Sequence, residues 1–163
     1  MSDLAEKIEV VELMAKHEEA IAGLYAVFSD KFPECKIWTY LYGEELKHSE
    51  WLKSILNNVY EGSIKFTDFH LTLKGLKVAI RSLESNTQKA EENKFDLEEA
   101  LNIAYTLENS LIEEHYLDYF SSDMEGITKV LDDLKTDTES HRKLLKEKKD
   151  EYILEERNKN WQI

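Results

Sequence analysis

Proline occurs once in this chain, at Pro33, and glycine only five times. Proline breaks helices through its fixed φ and missing N–H, and glycine weakens them, so their scarcity leaves long helices unobstructed. Cysteine also occurs once, at Cys35. A lone thiol excludes an internal disulfide and any Cys-x-x-Cys metal or redox motif. No apolar run approaches the ~20 residues of a membrane span. Residues 1–20 are acidic and amphipathic. They lack the apolar segment behind positive charge that marks a signal peptide, so a cytoplasmic protein is expected. Positive charge is short as well, with 21 Lys and Arg against 34 Asp and Glu and a net charge of −13. That argues against non-specific nucleic-acid or anionic-membrane binding, which need basic surface. It is compatible with attracting cations, although an ordinary solvated acidic surface gives the same composition.

What is present is helical periodicity. At 163 residues the chain is long enough for one domain with a full core. An all-α fold is expected: two antiparallel helical hairpins joined by a long crossover that contains a short helix. The first helix is expected from about Asp3 to Ser29, with Leu4, Ile8, Val11, Met14, Glu18, Ile21, Tyr25 and Phe28 on its buried stripe. It stops near Pro33, because a proline disfavours helix in the residue before it. The second runs from about Glu34 to Tyr60. Residues Gly62 to Asn93 form the crossover, with a helical pattern from about Leu71 to Ala90. Asp96 and Glu99 have capping-box spacing at the start of a third helix, Leu97 to Phe120. A fourth follows from about Met124 to Tyr152. The domain is expected over 1–152, with a charged tail at 153–163.

The chemistry lies where the apolar stripes are interrupted. On the second helix Trp38, Leu41, Glu45, His48, Leu52, Ile55 and Val59 step by three or four. Glu45 and His48 therefore emerge on the core-facing side, about one turn apart. A carboxylate and an imidazole in a core need a partner, because an unpaired buried charge is costly. A shared metal ion supplies one. The other stripes break at Glu18 on the first helix, Glu108 on the third and His141 on the fourth. Measured from turns near residues 33 and 123, these positions fall at similar heights, to within about one helical turn. Four helices would then deliver polar groups to one level of one core. Carboxylates with imidazoles suit iron or manganese better than metals that seek thiolates.

With these residues the chain resembles ferritin-like proteins of the rubrerythrin type, over about residues 10 to 145. That family carries Glu on its first helix, Glu-x-x-His on its second, Glu on its third and Glu-x-x-His on its fourth. The stretches HEEAIAGLYAVFSDKFPECKIWTYLYGEELKHSEWL and LEEALNIAYTLENSLIEEHY carry the resemblance. It implies a metal site of Glu18, Glu45, His48, Glu108 and His141. Two iron ions are expected, or one, with manganese or zinc as alternatives. It also implies reactivity with dioxygen or hydrogen peroxide in oxidative stress or iron handling. A homodimer is expected on general grounds, since most soluble oligomers are symmetric dimers. The departures are specific. The fourth helix has Thr138 where the family has Glu, and Asp137 is one residue out of register to replace it. Leu111 stands where rubrerythrins proper have a further carboxylate. The rubredoxin-like Cys-x-x-Cys module is absent from the chain, so any electron donor would be a separate molecule.

Each assignment has a bland alternative. Glu45 and His48 could be a simple salt bridge, and His141 a satisfied core histidine. Glu19 is the neighbouring alternative to Glu18 and is expected in solvent. Tyr25 and Tyr105 are expected as core residues whose hydroxyls need a partner, which a ligating carboxylate could be. His17 and His70 are expected at the surface, and His115 in a structural or outer role. Three functions stay open: a di-iron oxidase or peroxidase-like enzyme, a single-metal or iron-handling protein without turnover, and an interaction protein that kept the bundle and lost the site.

Overall fold

The structure, a computed structural model, describes residues 3–66, 73–113 and 120–160. Among these, helices dominate: α1 (Asp3–Lys31), α2 (Ile37–Ser54), α3 (Leu56–Tyr60), α4 (Leu73–Glu91), α5 (Leu97–Glu113) and α6 (Glu125–Asn160). Two three-residue strands, β1 (Ile64–Phe66) and β2 (Phe120–Ser122), pair antiparallel with Ile64 opposite Ser122. No described helix is long and apolar enough to cross a membrane.

Helix α1 packs against α2 and α4, α5 against α6, and α2 against α6. Partner residues give the directions. Ser29 bonds Thr39 at 2.8 Å, and Ser49 donates to Glu19 at 3.1 Å, so α1 and α2 are antiparallel. Lys77 reaches Glu9 while Lys31 reaches the Glu91 carbonyl, so α4 runs parallel to α1. That return sends α5 down in the direction of α2. Helix α6 is then antiparallel to both, with His141 beside Glu45 and Asp137 beside His48.

Helix α1 buries adjacent pairs: Val10 with Val11, Met14 with Ala15, His17 with Glu18, Ile21 with Ala22, Leu24 with Tyr25. A helix with one partner buries a single stripe, whereas one held by two neighbours buries a broader arc. This is why His17 is buried and not at the surface, with its imidazole pushed down to about 4 chiefly by burial, against the opposing pull of the Glu45 charge. At the free end of α1, Leu4 is exposed.

Four local departures from the expected elements have physical causes. The second helix is interrupted at Ile55, whose N–H bonds the Leu52 carbonyl at 3.3 Å in a tighter turn before α3. Helix α4, where a short helix was expected, has 19 residues, because α1 offers it a surface along its length. Phe120 belongs to β2 and not to the third helix. Helix α6 runs on through residue 152 to Asn160, with Tyr152 packed against the core, so no helix end marks the expected tail. The capping box at Asp96 is formed: its N–H donates to Glu99 Oε2 at 2.9 Å, and Glu99 N–H to Asp96 Oδ1 at 2.8 Å. Asn93, in the left-handed region at φ 57°, ends α4 and accepts a hydrogen bond from Lys31.

The apolar core is in two parts. One cluster gathers Val11, Met14, Leu52, Ile55, Val59, Leu131 and Leu134. The other gathers Ile21, Tyr25, Phe28, Trp38, Leu41, Leu101, Ala104 and Leu145. On each of α1, α2 and α6 the polar residues fall between members of the two clusters.

Candidate metal centre

That intervening layer holds Glu18, Glu45, His48, Glu108 and His141, each only 1% exposed. Helical spacing carries them inward together with their apolar neighbours, so burying the stripes buries the carboxylates too. Glu45 is at the centre. Its Oε2 lies 3.1 Å from His48 Nδ1, and its Oε1 lies 3.0 Å from His141 Nδ1. The two imidazoles stack with centroids 5.2 Å apart and planes 22° apart. Glu45, His48 and His141 each offer a ligand atom, all within 4.8 Å of one another.

Glu45 Oε1 and both ring nitrogens of His141 have no hydrogen-bond partner among the described residues. The 3.0 Å contact between Oε1 and Nδ1 is close enough for a bond but is not aligned for one. Orphaned buried polar atoms are rare in proteins, because each forfeits its hydration. Here Glu45 Oε1 and His141 Nδ1 lie side by side, the arrangement that a bound cation resolves, while His141 Nε2 faces outward toward Glu44.

The remaining residues arrange themselves around this group. Glu108 Oε2 is 3.9 Å from His141 Nδ1, and its Oε1 accepts a 2.9 Å hydrogen bond from the Tyr25 hydroxyl. Glu18 is buried in the same layer, and its charge acts on His48, Tyr25 and Glu108. Glu19 is outside, bonded by Lys53 at 2.6 Å. Thr138 faces inward at 5% exposure, but its hydroxyl donates to the Leu134 carbonyl at 3.0 Å. Asp137 stays at the rim, with Oδ2 at 3.4 Å from His48 Nε2. Tyr105 is half-buried beneath Lys149, whose Nζ lies 5.5 Å from the ring centroid, and is not a fully buried core residue. Leu111 lies in α5 but its side chain, like His70 and His115, lies outside the described residues.

Burial and neighbouring charge pull on the protons of this layer in opposite senses. Burial pushes the Glu45 carboxyl up, but contacts from His141 and His48 outweigh it and hold it at about 2. Burial pulls the His48 imidazole down, yet Glu45, with help from Glu18 and Asp137, raises it to about 8. Glu108 is raised well above its ordinary value by burial and by the Glu45 charge. Near neutral pH Glu45 is ionised, His48 carries a proton, and the Glu108 pKa is shifted toward the acid form. A cation entering here would displace these protons.

Glu44 and Lys47 are the residues that sequence reasoning missed. Lys47 Nζ lies 2.6 Å from Glu44 and 3.0 Å from Asp137. Their signal was available: Glu44 and Lys47 repeat the three-residue spacing of Glu45 and His48, one position earlier, and so occupy the adjacent helix face.

The fold and this layer define a helical protein with a buried carboxylate–imidazole group able to hold a metal ion. Compared with known proteins, the chain matches no family model, no curated protein and no solved structure.

Proposed function

We propose that the chain is a ferritin-like, rubrerythrin-type protein that binds iron in this layer and reacts with dioxygen or hydrogen peroxide. The observation that carries the reading is the orphaned Glu45–His141 contact inside a layer of five buried ligand-type side chains. Further support comes from helix direction. Helices α1 and α6 run one way, and α2 and α5 the other, as in a bundle whose halves are joined by a full-length crossover. Glu45 presents one oxygen to each imidazole. Glu45, His48 and His141 would hold the iron, with Glu18 and Glu108 as further carboxylates of the same layer.

Bound iron would supply Lewis acidity and redox electrons. The chain's own part is to hold and neutralise charge. Glu45 stays ionised across the physiological range. A cation taken up here would compete with the proton on His48, and the upward shift of Glu108 acts in the same direction. Tyr25 keeps Glu108 oriented through its hydroxyl. The two apolar clusters exclude bulk water from either end of the layer.

A second reading, a single-ion site, draws on Thr138. Its hydroxyl is satisfied by its own helix, so α6 offers one buried ligand where α2 offers two. Elemental analysis of anaerobically iron-loaded, desalted protein separates the readings. About two irons per chain support the paired site, and about one supports the single site. No bound iron in folded protein overturns both.

A further inference from the structure

The inner nitrogens of His48 and His141 face Glu45, and their outer nitrogens each face a different carboxylate. His48 Nε2 is 3.4 Å from Asp137 Oδ2, and His141 Nε2 is 3.9 Å from Glu44 Oε2. The first distance is a long hydrogen bond and the second an electrostatic contact only. The ammonium of Lys47 touches the same two oxygens, at 3.0 Å from Asp137 Oδ2 and 2.6 Å from Glu44 Oε2. It is also 4.8 Å from the centroid of Trp51, a ring that lies against His48. One lysine therefore links the outer carboxylates of both imidazoles, and it does so across the α2–α6 boundary.

We propose that Lys47, with Glu44 and Asp137, is a shared positioning clamp that fixes both imidazoles in their metal-ready orientation. This rests on the metal-binding reading above. Charge is the reason the clamp is needed. Glu44 and Asp137 are adjacent to a layer that already holds Glu18, Glu45 and Glu108. Without a cation between them, like-charge repulsion drives both carboxylates toward solvent, which their partial exposure allows. Lys47 holds both against that repulsion, and its stacking on Trp51 fixes the ammonium. A metal-bound histidine normally donates its other ring N–H to a carboxylate or carbonyl, and loss of such a partner weakens metal binding about 10–100-fold. Because the clamp is shared, one substitution loosens both ligands at once.

The test compares Lys47→Met, which keeps the apolar stem, with Lys47→Arg, which keeps the charge. Cobalt(II) binding followed by its visible absorption is the first readout. Lys47→Met is expected to weaken binding by at least tenfold and to alter the absorption bands, while Lys47→Arg returns both toward wild type. In a Glu44→Gln, Asp137→Asn background, Lys47→Met is expected to have no further effect. Wild-type affinity and bands in Lys47→Met, or an equal loss in the double-variant background, would overturn the clamp.

Imidazole nitrogen NMR of metal-free protein is the second readout and does not depend on metal binding. Lys47→Met is expected to shift or broaden the His48 and His141 signals and to leave His17 unchanged. Unchanged His48 and His141 signals would also overturn the proposal. If wild-type protein binds no cobalt yet its imidazoles respond in this way, the metal reading fails and the positioning role stands.

Discussion

Helices α2 and α6 each bring a pair of residues three apart into the buried layer, and the two pairs behave differently. On α2, Glu45 reaches out and contacts both imidazoles. On α6, Thr138 occupies the matching position but turns back to bond the Leu134 carbonyl of its own helix. The backbone thus presents both positions inward, and the side chain alone decides whether the position serves the layer. A carboxylate is long and must find a cationic partner. A threonine hydroxyl is short and satisfies itself one turn back. The result is an asymmetric layer, with one central carboxylate serving two histidines from different helices.

Removing the central carboxylate should erase the difference between α2 and α6 most completely. Glu45→Ala removes the main counter-charge of His48, whose buried imidazole then falls back to its neutral form, and takes from both imidazoles their shared carboxylate. It is expected to abolish metal uptake by elemental analysis and to cost metal-free protein about 2–3 kcal/mol in urea unfolding, because buried polar groups lose their partner. Restoring symmetry should sharpen the comparison. Thr138→Glu adds a fourth buried carboxylate, so metal-free stability should drop by on the order of 2 kcal/mol. Metal-loaded stability should recover, and iron per chain should rise if wild type holds one. An unchanged stoichiometry at one per chain would show that residue 138 cannot reach a second ion.

The third prediction concerns pH. The folded value for His48, about 8, lies above the ordinary 6.5, so its contribution is fully present below pH 6.5 and is lost as pH rises through 8. Glu108, also raised, acts in the same direction. His17, held at about 4, loses stability only below pH 6.5 and so lies outside this window. The groups facing His48 are Glu45 on its own helix, Glu18 on α1, and Asp137 and His141 on α6. Metal-free protein should lose about 2 kcal/mol in denaturant titrations between pH 6.5 and 8.5. Metal affinity should rise over the same interval as the competing proton leaves. The smallest effect is a control outside the layer. Asp96→Ala removes the α5 cap and should cost about 1 kcal/mol without changing metal content.

Much of this was legible in the sequence because helices are local. The interrupted stripes identified Glu18, Glu45, His48, Glu108 and His141 as inward-facing, and all five are buried in one layer. The Asp96 cap was legible for the same reason, since its partner is three residues away. The rest depends on which elements meet. Strands β1 and β2 are three residues each, too short for an alternating pattern, and they pair across more than fifty residues. His17 has the neighbours of a surface residue until α1 is packed against both α2 and α4. Lys47 and Glu44 look like an ordinary exposed i, i+3 pair until α6 delivers Asp137 beside them.

Periodicity and chain rise are properties of one helix at a time, so the helices, their inward faces and the heights at which polar side chains enter the core are local and follow from the residues alone. That Glu45 stands between two histidines, that Thr138 turns away, and that one lysine joins the outer carboxylates came from the packing of the helices. Those relations depend on side chains from separate helices meeting within a few ångströms, and no local pattern encodes such distances.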